Sequence, residues 1–214
     1  INVAITKPYA DGVTFRQSAT DANNHSVAKN VAIYAQDQIE FSPQWQAILG
    51  LRYDNFGIDF TNNRNAQKLE NTDTPISPRA GLIYKPFTEM SLYASYSLAF
   101  APRAGEQLSS LTVTNQAFDP EKFKNIEVGA KWDVSKDLTL SAAVYQLDRS
   151  NVAITDPSDS TKTILVDGQR SQGVELAVSG KLSPAWSIMG GYAYQDATIT
   201  RTQSATAKAG AKLA

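Results

Sequence analysis

The chain has 214 residues, with 20 Lys and Arg against 21 Asp and Glu, a formal net charge of −1, and no cysteine. The near balance of positive and negative side chains argues against a nucleic-acid-binding protein, which would carry a basic excess. The lack of thiols excludes disulfides, thiolate metal sites and cysteine nucleophiles, and the single histidine, His25, excludes sites that need two imidazoles. The opening Ile1-Asn2-Val3-Ala4 resembles neither an initiator methionine nor a signal peptide, so we expect the chain to begin partway through a larger protein.

Apolar side chains recur along the chain with a period of two, which is typical of strands with one apolar face. Between positions 45 and 53 every second residue is apolar: Trp45, Ala47, Leu49, Leu51 and Tyr53. The same alternation returns over 90–100 and from 186 onward, whereas no apolar run reaches the ~18 residues of a membrane-spanning helix. The sequence therefore predicts an all-β chain of eight strands, near 29–41, 45–60, 76–86, 90–100, 122–133, 138–154, 163–180 and 186–200.

Short and long connections alternate between the predicted strands. Tight hairpin turns are predicted at 42–44, 87–89, 135–137 and 183–185. Longer polar loops are predicted at 61–74, 101–121 and 155–170, as well as over most of 1–27 and in the tail from 201. Inside the loop at 155–170, Asp156 and Asp159 are interpreted as turn formers, because the pattern of an EF-hand calcium loop is absent.

The strands that lead into the tight turns share a polar position. Seven residues before the turn anchors Phe41, Pro86, Val134 and Leu182 stand Tyr34, Arg79, Glu127 and Glu175, each between apolar neighbours. This predicts polar groups inside and an apolar wall outside, the reverse of a soluble barrel. Long strands, alternating loop lengths and tryptophans beside the tight turns (Trp45, Trp132 and Trp186) favour an antiparallel transmembrane β-barrel. A soluble β-sandwich binding module remains the alternative that alternation alone allows.

Four sequence motifs carry a family resemblance. The first spans 76–86 and 92–103, and the others lie at 125–132, 168–180 and 191–197. Their residues, among them Ile76-Ser77-Pro78-Arg79-Ala80-Gly81 and Gly168-Gln169-Arg170-Ser171-Gln172-Gly173-Val174-Glu175, resemble the barrel of TonB-dependent siderophore receptors, most closely those for catecholate and hydroxamate siderophores. The resemblance covers about 28–200 and implies a large barrel, plugged by a globular domain, that carries ferric siderophores across the outer membrane of a Gram-negative bacterium.

The sequence departs from the pattern of that family in its extent. About eight strands of a barrel that has about 22 are visible, and neither a plug domain, nor a TonB box, nor a final aromatic strand is recognised. We therefore expect residues 1–214 to be one part of the barrel domain. The alternative is a self-contained eight-strand outer-membrane barrel with a structural or adhesive role.

An anionic iron chelate is recognised by aromatic and cationic side chains, and arginine suits this task because its planar fork stays charged. The predicted ligand-binding residues at the long-loop ends are Phe100, Arg103, Arg149 and Arg170. The predicted lumen-wall residues, which would pair across strands or bind a plug, are Arg52, Arg79, Glu127 and Glu175.

No catalytic residues, resident cofactor or metal site are predicted, and iron enters only as part of a bound siderophore. The implied partners are the ferric siderophore, the lipid bilayer and the TonB energy-transducing complex, which would act through the missing plug. Nucleic acid is not an expected partner.

Overall fold

The computed structural model describes residue 18 and residues 21–102, 111–114, 116–156, 158–204 and 207–213. Within them the chain forms strands joined by turns and loops, as predicted. No helix in this part of the chain is long and apolar enough to cross a membrane. The strands are β1 Asn24–Glu40, β2 Trp45–Asn62, β3 Gln67–Asp73, β4 Ile76–Phe87, β5 Met90–Ala101, β6 Glu121–Ser135, β7 Leu138–Ser150, β8 Val152–Asp156, β9 Asp159–Val166, β10 Gln169–Ser183 and β11 Trp186–Ile199.

Eight of these strands form one antiparallel sheet in the order β1-β2-β4-β5-β6-β7-β10-β11. Each strand pairs with the next member of the series, so the sheet is a meander. The four predicted tight turns join β1 to β2, β4 to β5, β6 to β7 and β10 to β11, and the long connections join the other neighbours. Among the described residues, β1 and β11 do not pair with each other. The sheet is therefore open, which disfavours the alternative of an eight-strand barrel that closes on itself.

The long connections contain strands that the sequence analysis assigned to loops. The stretch 61–74 is a hairpin, in which β3 pairs with the end of β2, and 155–170 contains most of the separate β8–β9 hairpin. The strand predicted at 138–154 ends at Ser150, because Asn151 takes a positive φ of 58° and turns the chain. In the polar tail, residues 211–213 return to pair with the end of β11.

The two faces of the sheet differ in the predicted way. Residues paired across neighbouring strands lie on the same face, so the register follows one face from β1 to β11. One face carries large apolar side chains that remain about half exposed, including Leu49, Leu82, Val128, Val144 and Leu176. The opposite face carries Tyr34, Arg52, Arg79, Glu127 and Glu175. A continuous exposed apolar face suits lipid rather than water.

The three tryptophans lie on the apolar face near the tight turns. Trp45 opens β2 and packs against Tyr84, with the ring centroids 4.5 Å apart and the planes at 30°. Trp132 lies opposite Met90 and Leu140, and Trp186 opens β11. This arrangement matches the predicted interfacial girdle.

The register also shows how the strands tilt. Tyr34, Arg79, Glu127 and Glu175 share one face but do not lie in one hydrogen-bonded row. The row through each of the first three reaches the strand of the next at a residue two positions farther from the tight turn than that next residue. A stagger of two residues over two strand spacings corresponds to a tilt of ~35°, which is within the range of strands in closed barrels. Equal distance from the turn therefore means equal height only after the tilt is included.

A small buried cluster lies on the polar face near the long loops. Phe56, Ile58 and Phe60 of β2 pack with Leu69 of β3 and with Leu111 from the connection after β5. The side-chain amide of Asn71 also donates to the Gln116 carbonyl at 2.5 Å. These contacts hold the loop after β5 against the β2–β3 hairpin and so form the roof of the site described next.

Candidate functional site

A cavity of about 460 Å³ opens on the polar face just below this cluster. Strands β1, β2, β4 and β5 supply its walls, and the loop before β6 closes one side. The inward-facing lining combines a cation, a carboxylate, an amide and an aromatic ring: Arg52, Asp54, Asn30 and Phe56. Phe100, a predicted ligand-binding residue, borders the cavity at the end of β5, but the register pairs it with Lys122 and places its side chain on the apolar face, opposite to that of Arg52.

Arg52 and Asp54 form a bidentate ion pair on the wall of the cavity. They are two residues apart on β2 and therefore project from the same face. The Arg52 Nε and Nη2 atoms donate to the two Asp54 carboxylate oxygens at 2.7 Å each, and the Asn30 amide donates to Asp54 at 3.2 Å. The carboxylate is recessed at 14% side-chain exposure, whereas the guanidinium side chain is 46% exposed. The pair thus holds the guanidinium in a fixed orientation, with the rest of its five N–H groups directed away from Asp54.

Further toward the tight turns, Tyr93 and Glu127 form a second polar group on the same face. The Tyr93 hydroxyl donates to Glu127 Oε1 at 2.6 Å. The Tyr93 ring lies over Gly129, directly opposite on β6, where an added Cβ would come within 2.6 Å of it. Arg79 lies in the same way over Gly50 of β2. Long polar side chains thus lie along the wall where the opposite residue has no side chain.

Arg149 is on the polar face of β7, but its donors are engaged within the wall. Its Nε and Nη2 atoms lie 2.8 and 2.5 Å from Glu121 Oε2, and Nη1 donates to Gln169 at 3.1 Å. The guanidinium carbon also lies 5.8 Å from the centre of the Phe123 ring. Its contacts are those of a cross-strand brace between β6, β7 and β10.

Arg170 lies on the other face of the sheet. Its cross-strand partner is Asp148, whose Oδ1 accepts a hydrogen bond from Arg170 Nε at 2.6 Å. The structure therefore separates Arg170 from the cavity, and Arg103 lies outside the described residues. Asp54 and Asn30 were missed by the sequence analysis, although the i, i+2 spacing of Arg52 and Asp54 in an alternating strand was a usable signal.

The β8–β9 hairpin has the predicted turn chemistry. Asp156 accepts hydrogen bonds from the backbone and hydroxyl of Ser158, and Asp159 accepts the corresponding pair from Thr161. These bonds favour the charged carboxylates, with the Ser158 and Thr161 hydroxyls as the largest causes, and they lower the pKa of both groups. Among the described residues, no group of three or more acidic or histidine side chains is arranged to hold a metal ion.

Tilted antiparallel strands with an apolar outer face, a tryptophan girdle and a polar inner face define the wall of a transmembrane β-barrel. Residues 3–214 match the family described as "TonB dependent receptor-like, beta-barrel". The chain belongs to this family of Gram-negative outer-membrane receptors and transporters.

Relatives and solved structures agree with this assignment. The chain is 33% identical over 195 residues to the metal-pseudopaline receptor CntO of Pseudomonas aeruginosa, covering 86% of this chain and 26% of CntO. It is 33% identical over 211 residues to the probable TonB-dependent receptor BfrD of Bordetella pertussis, covering 90% and 27%. The crystal structure of the siderophore receptor PiuA from Acinetobacter baumannii superimposes with a TM-score of 0.79 at 27% identity, covering 89% of this chain and 28% of PiuA. The chain thus spans about a quarter of the length of the relatives it matches.

Proposed function

We propose that the protein whose barrel wall includes this chain is an outer-membrane receptor that takes up ferric siderophores with energy supplied through TonB. All of residues 1–214 would belong to the barrel domain, with the plug contributed by another part of the protein. The iron is cargo inside the chelate and not a resident cofactor, and no bond-making step is required of the protein.

The observation that carries this proposal is the inward-facing cavity with Arg52, Asp54 and Phe56 on its wall. A ferric siderophore is a compact, commonly anionic chelate, so a cation held by a recessed carboxylate can bind it without a large conformational change. Phe56 adds apolar area that suits an aromatic or aliphatic chelate arm. The relatives support the class of ligand: CntO is named a metal-pseudopaline receptor and Fiu of Escherichia coli a catecholate siderophore receptor.

Replacing Arg52 with glutamine should weaken binding of the chelate by about tenfold or more, since a hydrogen bond to a charged group contributes about 1.5–3 kcal/mol. The measurement is the fluorescence quenching of the purified full-length receptor by a panel of ferric catecholate and hydroxamate siderophores. Adding Asp54→Asn to Arg52→Gln removes the carboxylate that would otherwise lose its partner, and the weakened binding should persist in this double variant.

The matched control is Arg170→Gln, which removes one arginine from the opposite face of the same sheet and should leave affinity within twofold. Wild-type affinity in Arg52→Gln would show that this cavity is not the chelate site. Failure of the wild-type receptor to bind any member of the panel, or uptake of radioactive iron that is unaffected by loss of TonB, would overturn the proposed function itself.

A further inference from the structure

The two ends of the loop between β5 and β6 form one side of the inward-facing cavity. Pro102 directly follows β5 and Pro120 directly precedes β6, and both line the cavity that contains Arg52. The pairing of β5 with β6 ends just before them, at Ala101 and Glu121. Because a proline has no N–H to donate to a strand pair, the position of Pro120 has to be set by other contacts.

The first of these contacts holds Glu121, the residue next to Pro120. Arg149 of β7 places Nε and Nη2 at 2.8 and 2.5 Å from Glu121 Oε2, while its Nη1 donates to Gln169 of β10 at 3.1 Å. The side chains of Glu121 and Arg149 are only 20% and 34% exposed, so this charge-assisted contact is partly shielded from water. One guanidinium therefore ties the start of β6 to the start of β10.

The second contact holds Pro120 itself. Asn151 follows β7 directly and has a φ of 58°, in the left-handed region that asparagine enters more readily than most other residues with a side chain. The backbone turns there, and the Asn151 side-chain amide donates to the Pro120 carbonyl at 3.0 Å. The end of β7 thus fixes both Pro120 and the residue after it.

The earlier part of the same loop is held by different residues. Leu111 is buried in the cluster with Ile58 and Leu69, and the Gln116 carbonyl accepts the hydrogen bond from Asn71. These contacts attach the loop to the β2–β3 hairpin, whereas those of Arg149 and Asn151 attach its last residues to β7. The part of the loop that borders the cavity therefore depends on the β7 contacts.

We propose that Arg149, Glu121 and Asn151 are positioning residues of the chelate site, which hold Pro120 in place as part of its wall. None of the three lines the cavity, so they act through Pro120 and not by touching the ligand. A wall that is already fixed does not have to be ordered when the ligand binds, and this lowers the cost of binding. The positioning role rests on the function proposed for the cavity.

The test uses the purified full-length receptor and the same panel of ferric catecholate and hydroxamate siderophores, with equilibrium and stopped-flow fluorescence quenching. Arg149→Gln and Glu121→Gln should each weaken binding of the chelate that wild type binds most tightly by about fivefold to tenfold, mainly through faster dissociation. Asn151→Gly removes the amide but permits the same φ, and should weaken binding by about threefold to fivefold. The number of binding sites per receptor should stay at the wild-type value, because misfolding would remove sites instead of lowering the affinity of those that remain.

Glu121→Gln separates a positioning role for Arg149 from direct contact with the ligand. If Arg149 touched the chelate, removing the Glu121 carboxylate would release its guanidinium and leave binding unchanged or tighter, whereas a positioning role requires that both variants weaken binding alike. Arg149→Gln/Glu121→Gln should bind no more weakly than either single variant, because the two residues act through one contact. This double variant leaves no unpaired carboxylate and serves if a single variant fails to fold.

The matched control is Arg170→Gln, which breaks an arginine–aspartate pair between the same strands, β7 and β10, on the other face. It should bind within twofold of wild type. Wild-type affinity and dissociation rate in Arg149→Gln, or a loss that Glu121→Gln does not share, would overturn the positioning role. The proposed function is tested separately: it fails if the wild-type receptor binds no chelate, whereas weaker binding in Arg52→Gln alongside wild-type binding in Arg149→Gln would overturn only the role of Arg149.

Discussion

Replacing Val128 with arginine should lower the free energy of unfolding of the receptor by about 2–4 kcal/mol, the cost of a cation near the bilayer midplane on the lipid face of a barrel. Val128 lies on the apolar face of β6, four residues from Trp132 beside the tight turn and four from the charged Lys124 on the side of the long loops. It is therefore near the middle of the apolar stretch of this face. Its cross-strand neighbours Ala94 and Val144 have no polar group to bind the guanidinium. The measurement is equilibrium denaturant unfolding of the receptor in lipid vesicles.

Asn125→Arg is the control for this substitution. Asn125 is on the polar face of the same strand, paired with Ser97 and Leu147, so its replacement should change stability by less than about 1 kcal/mol, as most substitutions do when they neither disturb a core nor bury a charge. A similar loss in both variants would mean that the face exposing Val128 does not contact lipid. The assignment of outside and inside would then be wrong.

Gly173→Ala should destabilise the barrel by about 1–3 kcal/mol through overpacking. Gly173 lies on the polar face of β10, and a Cβ built on it would be 2.2 Å from the Tyr194 carbonyl oxygen and 3.0 Å from the Tyr145 hydroxyl. The Tyr145 side chain can move away at little cost, but the carbonyl belongs to the paired strand β11. Relief therefore requires the β10–β11 backbone to shift, which we expect to appear as faster hydrogen exchange over 171–175.

Gly190→Ala provides the comparison, because it also adds one methyl group to a strand glycine of the same hairpin. Its Cβ would be 3.9 Å from the nearest atom, a Val178 methyl carbon, which is an ordinary contact. We expect this variant to retain wild-type stability. Equal stability of both variants would contradict the close approach of β10 and β11 at Gly173.

The strands, tight turns and two faces of the sheet could be predicted because each depends on local chemistry. Side chains alternate between the two faces along a strand. Leu49 therefore faces outward on the strand where Arg52 faces inward, and Val128 faces outward beside the inward Glu127. The hairpin at 61–74 was wrongly predicted as a loop, because β3 is mostly polar and is held by pairing with β2. At 155–170 the polar first half of β9 was assigned to a loop, and its apolar end at 163–166 was merged with β10, although β9 pairs with β8 and ends at Val166.

The position of Arg52 could be predicted from the sequence. It was assigned to the inner wall from its place in an alternating strand, and the register has it on the polar face. Its role in ligand binding stays a prediction. Arg170 and Phe100 were assigned to the ligand because each lies at a loop end, whereas the register places both on the apolar face, Arg170 beside Asp148 and Phe100 opposite Lys122. The odd spacing of Arg170 from Glu175 already indicated this face in the sequence.

The sequence by itself determined that this chain is a set of amphipathic strands joined by alternating short and long connections, and therefore part of a membrane barrel wall. Only the tertiary structure decided the two-residue stagger of successive hairpins, the placement of Arg52 in one cavity with Ala99 across the intervening β4, and the ion pairs of Asp148 with Lys124 and Arg170. The physical reason is that alternation is set by the backbone of each strand alone. The register between strands, in contrast, depends on hydrogen bonds between segments far apart in the chain, and no single segment encodes it.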